Sequence, residues 1–231
     1  MKKTIFVIFL AVFYFYGCNE NKEAKNAKLL TAAKECNTAV VEAALKAGAD
    51  PNTKVYDVSG KENLGPVIMI AVWPCKNEKM VDLLLTAGAD INGKSDIGGA
   101  ALNMASGENM PDSIIKKLIA KGANVNSTYN EGMNALLDAL ITDNITALKI
   151  LLDAGANPNV QNIRTGETPL TVAAGLLKIK PHSREAINLF LAAGADARVK
   201  NKKGKTASML AQERGYSDIA AILKKAEQSK K

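Results

Sequence analysis

A six-residue phrase recurs five times along the chain and divides it into units. Each copy holds a glycine followed by Ala and then by Asp or Asn, as in Ala-Gly-Ala-Asp-Pro-Asn at 47–52. The five glycines are spaced 40, 34, 33 and 39 residues apart, at Gly48, Gly88, Gly122, Gly155 and Gly194. A period of this length is typical of stacked supersecondary units that bury their apolar faces only against neighbours. The repeats predict one continuous stack, not separate globular domains.

Each unit carries signals for two helices. An amphipathic stretch precedes every glycine, and the glycine stands where a helix ends in a left-handed C-cap. A shorter apolar stretch lies upstream and opens with a Thr-Pro-Leu-like start, which is complete only at 168–170. Threonine caps free amides there, and proline is harmless at the first helical position. The unit is therefore predicted to be turn, helix, loop, helix, and the fold to be all-α.

This pattern resembles the ankyrin repeat over roughly residues 27–226. The resemblance implies a solenoid of about six helix-turn-helix repeats with β-hairpin-like fingers, in which fingers and first helices line a concave face. Thr171 stands where the family favours histidine, and no repeat has that histidine. The hydrogen bonds that it makes between repeats are therefore expected to be absent or replaced.

The N-terminus has the proportions of a signal peptide. Lys2 and Lys3 precede an apolar run from Ile5 to Tyr16, and Gly17 and Cys18 follow. Cysteine after a small residue resembles a bacterial lipoprotein cleavage site, so lipidation at Cys18 is expected, with ordinary cleavage or an uncleaved anchor as alternatives. The predicted divisions are a signal peptide at 1–17, a lipid-anchored tether at 18–26, the repeat domain at 27–226 and a basic tail at 227–231. The expected location is a bacterial cell envelope, periplasmic or surface-exposed.

Positive charge is concentrated at one end of the chain. The formal net charge is +7, and residues 198–231 hold ten Lys or Arg against three acidic residues. A solubilising cap or contact with anionic lipid headgroups explains this end. Binding to nucleic acid is disfavoured because no aromatic residues alternate with the lysines to stack bases.

Catalysis finds no support in the sequence, and no enzyme, cofactor, metal or small-molecule substrate is predicted. The only histidine, His182, lies in a predicted inter-helix turn. No His-Cys cluster has metal-ligand spacing, and no glycine-rich segment resembles a phosphate-binding loop. The aspartates of the repeated phrase are expected to bond turn amides, and three methionines at helical spacing to pack in the core. These are Asp50, Asp90 and Asp196, and Met80, Met104 and Met209.

The predicted function is binding of another protein through the concave finger and inner-helix face, by a monomeric, membrane-anchored scaffold. Two alternatives stay open: an immunity or inhibitor protein for a toxin or envelope enzyme, and a structural envelope lipoprotein without a specific client. The binding residues are predicted at finger positions that point off the scaffold, because aromatic, Arg and charged groups suit recognition there. They are Tyr56, Asp57, Lys94, Asp96, Tyr129, Glu131 and Arg164.

Cys36 and Cys75 are candidates for a disulfide. Export would expose them to an oxidising compartment as an even pair. Both occupy inter-helix turns of adjacent repeats, where equivalent atoms lie about 10 Å apart, beyond the reach of a disulfide. Two additional residues around Trp73 and Pro74 allow Cys75 to lean back toward Cys36. A small buried thiol is the alternative, and the sequence leaves both outcomes open.

Overall fold

Six helix pairs follow one another in the computed structural model, which describes residues 21–57, 59–107 and 110–229. In each pair an inner helix precedes an outer helix. The inner helices are α1 (Lys22–Lys34), α3 (Ile68–Val72), α5 (Ala101–Gly107), α7 (Ala135–Ile141), α9 (Pro169–Leu176) and α11 (Ala207–Glu213). The outer helices are α2 (Thr38–Lys46), α4 (Glu78–Thr86), α6 (Asp112–Ala120), α8 (Ile145–Asp153), α10 (Ser183–Ala192) and α12 (Ser217–Ser229). The predicted all-α solenoid of six repeats is confirmed.

The repeated phrase ends the outer helices as predicted. Its five glycines all have φ between 85° and 93°, a left-handed conformation that residues with a Cβ rarely adopt. At the first copy the amide of Gly48 donates to the Leu45 carbonyl at 3.0 Å, and the amide of Ala49 donates to the Ala44 carbonyl at 3.0 Å. The aspartates then bond turn amides, since Oδ1 of Asp50 accepts from the Asn52 amide at 2.9 Å. The same bond recurs at Asp90 and Asp196.

One alanine position brings the inner helices close together. It is fully buried in five successive repeats, at Ala71, Ala105, Ala139, Ala173 and Ala211. A methyl group at this position lets neighbouring helices approach closely, while larger side chains from the outer helices fill the space behind them. The largest fully buried side chains include Met80, Leu84, Ile115, Leu148 and Phe190. Burial of this kind contributes about 1.5–3 kcal/mol for each large apolar side chain.

A ladder of asparagine side chains joins the turns of successive repeats. The side chain of Asn92 accepts from the Asn124 amide at 2.8 Å and donates to the Gly122 carbonyl at 3.2 Å. The same pair of bonds recurs at every junction between copies of the phrase, from Asn52, Asn126 and Asn159. At the histidine position itself, the Thr171 hydroxyl donates to the Thr168 carbonyl of its own repeat at 2.9 Å.

The fingers of the second and fourth repeats are short hairpins. Strands β1 (Lys54–Tyr56) and β2 (Asn63–Pro66) pair antiparallel, as do β3 (Thr128–Tyr129) and β4 (Met133–Asn134). A one-turn 3₁₀ helix at Asn130–Gly132 joins the second pair. The fingers of the third, fifth and sixth repeats are turns without paired strands.

Two predicted boundaries are wrong. The tether was expected to extend to residue 26, but α1 begins at Lys22, because the Asn21 side chain caps it by accepting from the Ala24 amide at 2.8 Å. Later in the same helix, Asn26 accepts from the Asp50 amide at 2.8 Å. The basic tail was expected from residue 227, but α12 continues to Ser229 and Ser208 donates to Glu227 at 2.6 Å. The signal peptide and Cys18 lie outside the described residues.

A disulfide joins Cys36 to Cys75 in the structure, with the two Cα atoms 5.5 Å apart. It links the inter-helix turns of the first and second repeats. The turn at 73–75 therefore leans toward the first repeat, which brings Cys75 closer to Cys36 than the distance of about 10 Å expected between equivalent atoms of adjacent repeats. No helix within the described segments is both long and apolar enough to cross a membrane.

Candidate functional site

A groove of about 590 Å³ lies between the fingers and inner helices of the second, third and fourth repeats. Helices α3, α5 and α7 contribute Ile70, Met104 and Asp138 to its lining, and the fingers contribute residues such as Leu64, Ile97 and Tyr129. Most of the surface that lines the cavity is apolar, although polar side chains such as Asn103 and Asp138 also contribute to it. We call this cavity the finger groove.

Small residues and a short helix make room for the finger groove. Gly99, Ala100 and Gly107 lie along it, and none of them carries a side chain larger than methyl. At Gly107 a Cβ atom would lie 3.2 Å from the Asp138 Cβ, so glycine permits the close approach of α5 to α7. Helix α3 has only five residues, and the turn that follows it places Trp73 on the groove wall.

Four large apolar side chains stand exposed around the finger groove. Leu64, Trp73, Ile97 and Ile141 have exposed fractions of 43%, 45%, 49% and 44%. They come from two fingers, an inter-helix turn and an inner helix. Scattered apolar residues are ordinary on a protein surface, whereas a cluster around one cavity marks a binding site.

Asp138 is a buried carboxylate in the lining of the finger groove. Its exposed fraction is 8%. The Tyr129 hydroxyl donates to Asp138 Oδ1 at 2.5 Å, whereas Oδ2 is buried and accepts no hydrogen bond from the described residues. Burial raises the pKa of Asp138 to about 6, against the opposing effects of Tyr129 and Asn103. Burial and the neighbouring Asp138 carboxylate also raise the pKa of Tyr129.

Hydrogen bonds join the second finger to the third, and the fourth finger to the fifth and sixth. The Asp96 amide donates to the Asn63 carbonyl at 2.9 Å, and Asp96 Oδ2 accepts from the Asn63 amide at 2.9 Å. Further along, the Ile163 amide donates to the Glu131 carbonyl at 2.6 Å. The Lys202 amide then donates to the Thr165 carbonyl at 2.8 Å. Backbone bonds of this kind hold exposed side chains at defined spacings.

Four of the seven predicted binding residues project from the fingers. Tyr56 is 47% exposed, and Lys94 is exposed. Arg164 and Glu131 are also exposed and form an ion pair, with Arg164 Nε 3.0 Å from Glu131 Oε2. The structure does not gather the four into one cluster, because they belong to four successive fingers.

The other three predicted residues use their polar groups within the scaffold, although Asp96 is exposed. Asp57 holds its own turn: it accepts from the Ser59 hydroxyl at 2.5 Å and from two backbone amides, and the Ser59 bond is the largest cause that lowers its pKa to about 2. Asp96 bonds the preceding finger. Tyr129 is half-buried, with its hydroxyl on Asp138. Their polar groups find partners within the scaffold, because neighbouring backbone amides and carboxylates lie within reach.

Asp138 was missed at the sequence level, although the repeats contain a signal for it. The residue before each buried inner-helix alanine is apolar in four repeats, at Ile70, Met104, Val172 and Leu210, and is Asp138 in the fourth. An acid at an otherwise apolar, repeated position is a candidate for function. Of the three methionines predicted to pack in the core, Met80 is fully buried and Met104 packs against the core while also lining the finger groove, but Met209 is 47% exposed.

His182 lies at the N-terminal end of α10, away from the finger groove. Its Nδ1 is 2.8 Å from Asp143 Oδ2, and its amide donates to Asp143 Oδ1 at 3.3 Å. These bonds join the inter-helix turns of the fourth and fifth repeats. Among the described residues, no group of three or more His, Cys, Asp or Glu side chains has the geometry of a metal site.

Comparison with known proteins agrees with the fold. The family model for ankyrin repeats (3 copies) matches residues 68–162 and 102–182. The chain is similar to an ankyrin repeat protein of Fowlpox virus (strain NVSL), at 32% identity over 68% of the chain and 46% of that protein. It is also 32% identical to an intracellular phospholipase A2 of Caenorhabditis elegans, over 59% of the chain and 13% of that protein. A third relative is the ankyrin repeat protein YahD of Escherichia coli (strain K12), at 30% identity over 68% of the chain and 74% of that protein. The chain spans less than half of the first two relatives.

Proposed function

Because the chain belongs to the ankyrin-repeat family, whose fold serves protein interaction, we propose that it is a non-enzymatic binding scaffold for another protein, exported and anchored to a bacterial envelope by a lipid on Cys18. The protein partner contacts the fingers and inner helices. The observation that carries this proposal is the set of bonds that link the second finger to the third and the fourth finger to the fifth and sixth, because they hold exposed side chains of successive repeats at defined spacings. A surface fixed before binding loses little entropy when a partner docks.

The exposed finger side chains are suited to recognition. Tyr56 offers a rigid amphipathic ring, and the ion pair of Arg164 with Glu131 offers charges of both signs. Tyr and Arg contribute more than other residue types to the energy of protein interfaces. Tyr56 and Arg164 are therefore the anchors of the proposed interface, with Lys94 and Glu131 beside them.

Export is supported by the sequence before Cys18 and by the disulfide between the first two repeats. Lys2, Lys3 and the apolar run before Cys18 provide the pattern of a lipoprotein signal. The disulfide between Cys36 and Cys75 suits an oxidising compartment. A lipid with two or more acyl chains would hold the chain firmly at a membrane.

A photo-cross-linking residue at position 56 tests the partner surface. The control carries the same residue at position 222, on α12, where Ile222 is 45% exposed against 47% for Tyr56. We expect one stoichiometric cross-linked protein from position 56 and none from position 222. The same products from both positions, or none from position 56, would reject the finger surface as the interface.

Metabolic labelling tests the anchor separately. Radiolabelled palmitate is expected to enter the wild-type protein and not the Cys18→Ala variant. A Cys36→Ala variant that retains its label is the matched control, since it also loses one cysteine. Equal labelling of wild type and Cys18→Ala would show that Cys18 carries no acyl chain.

A further inference from the structure

The finger groove has the dimensions of a small-molecule site. Its volume of about 590 Å³ falls within the range of roughly 300–1,000 Å³ in which proteins bind small ligands. Such sites combine apolar walls with a few polar groups that orient the ligand. Here the walls are apolar, and Asp138 is the most deeply buried ionisable group among them.

One oxygen of Asp138 lacks a partner. Tyr129 satisfies Oδ1 and Asn103 also stabilises the charged carboxylate, but Oδ2 of this lining residue is buried without a hydrogen bond from the described residues. A buried acceptor without a donor is unfavourable, and more so when it carries charge. Oδ2 has almost no accessible surface, so a ligand N–H reaches it once the carboxylate rotates toward the groove, and that bond would remove the penalty on binding.

The charges and rings around the groove favour a cation. The lining contains two acidic residues, Asp138 and Glu62, and one basic residue, Lys34. Lys34 ends α1 and is exposed, whereas Asp138 is buried. The aromatic side chains of Tyr129 and Trp73 also line the groove, and aromatic faces attract organic cations.

We propose that the finger groove binds a small amphipathic amine, an apolar body with one ammonium group, whose N–H donates to Asp138 Oδ2. Leu64, Ile97 and Ile141, which are exposed around the groove, cover the apolar body, and the ammonium group lies beside α7. This site does not depend on a protein partner, so a chain that captures no protein through its fingers would still bind the amine.

The fluorescence of Trp73 can report binding in the finger groove. Trp73 is the only tryptophan, and it lines the groove. We would titrate the full-length protein near neutral pH with phenylbutylamine, phenylbutanol and phenylbutyrate, which share an apolar body and differ in the terminal group. The amine is expected to change Trp73 fluorescence with an affinity at least about tenfold higher than that of the alcohol, and the acid to bind most weakly.

Variants assign the preference to Asp138. Asp138→Asn keeps the shape and the acceptor for Tyr129 but removes the charge, so the amine should lose its tenfold advantage while the alcohol binds as before. Asp153→Asn, on the exposed surface of α8, is the matched control and should keep the advantage. Met104→Phe should weaken all three probes by filling the groove, and circular dichroism would verify that each variant is folded.

Three results would overturn the proposal. Equal affinities of wild type for amine and alcohol would show that no ammonium site exists. An amine preference that survives in Asp138→Asn would place the cation elsewhere. Tighter binding of the peptide acetyl-Leu-Lys-Leu-amide than of phenylbutylamine would make a protein segment the occupant in place of a free amine.

Discussion

Helices α3 and α9 occupy the same position in the second and fifth repeats, yet they are held differently. Helix α9 has eight residues, Pro169 in its first turn and a capping box in which Thr168 and Thr171 bond each other's backbone amides. Helix α3 has five residues, no side-chain cap and a following turn that is tied to Cys36 by the disulfide. Local signals therefore specify α9, whereas a distant cross-link positions the end of α3.

The different lengths of α3 and α9 change the surface beside them. Helix α9 packs closely against α11, the inner helix of the next repeat. Helix α3 ends early and leaves the finger groove beside α5 and α7. The repeat with the shorter inner helix thus provides the cavity. Four predictions test which interactions stabilise each of the two regions.

The largest expected effect comes from the disulfide. Replacing Cys36 and Cys75 by Ser removes a cross-link across 39 residues, for which the loss of chain entropy predicts a decrease of about 4 kcal/mol in the free energy of unfolding. Urea unfolding followed by Trp73 fluorescence measures the change. Reductant should destabilise the wild type by a similar amount and leave the double variant unaffected; a sensitivity shared by both would contradict the bond.

The buried carboxylate of Asp138 is expected to have the next largest effect. Its pKa is about 6 in the folded chain against 3.8 without burial. Between these two pH values Asp138 is protonated in the folded state and ionised in the unfolded state, so a rise in pH favours unfolding. The free energy of unfolding should therefore fall by about 2–3 kcal/mol between roughly pH 4 and pH 6 and stay constant above that range, as far as Asp138 is concerned. Below pH 4 both states are protonated, and the penalty is absent.

Asp138→Asn removes this titration and should make the protein more stable above pH 6. Denaturant titrations across the pH range compare it with wild type and with Asp153→Asn, which should keep the wild-type profile. Tyr129 and Asn103 contact the same carboxylate and stay in place in these variants. A wild-type profile unchanged by Asp138→Asn would assign the pH dependence to other carboxylates.

A smaller effect is expected at the start of α9. Thr168→Ala removes the side chain that accepts from the Thr171 amide, and loss of such a cap costs about 1 kcal/mol. Thr168→Ser retains the hydroxyl and should recover most of that loss. Thermal unfolding distinguishes them. If both variants are equally destabilised, the methyl group of Thr168, not its hydroxyl, supports the helix.

The smallest effect is expected from the ion pair between Arg164 and Glu131. Both side chains are exposed, and exposed ion pairs contribute little to stability because solvent screens them. Arg164→Ala should leave the urea midpoint unchanged within experimental error, yet weaken capture of the protein partner. Lys149→Ala, which removes an exposed cation from the outer helix α8, is the control away from the fingers. A clear loss of stability in Arg164→Ala would assign the pair to the scaffold.

The candidate site was only partly predictable. Tyr56, Lys94, Glu131 and Arg164 are exposed finger residues, as their turn positions suggested. Tyr129 was placed correctly on a finger, but its partner Asp138 could not be inferred, because nothing local specifies that a hydroxyl reaches a neighbouring helix. The finger groove depends on the length of α3 and on three repeats together, and no single repeat encodes it.

The sequence by itself determined the repeat, the helix pairs and the ends of the outer helices. These features depend on glycine φ, capping and apolar spacing, which act within one repeat or between nearest neighbours. Only the tertiary structure decided that α1 starts at Lys22, that Cys75 reaches Cys36 and that Asp138 is buried with one oxygen unpaired. Each of these results depends on distances between repeats, which insertions such as the one near Trp73 alter in ways that periodicity does not record.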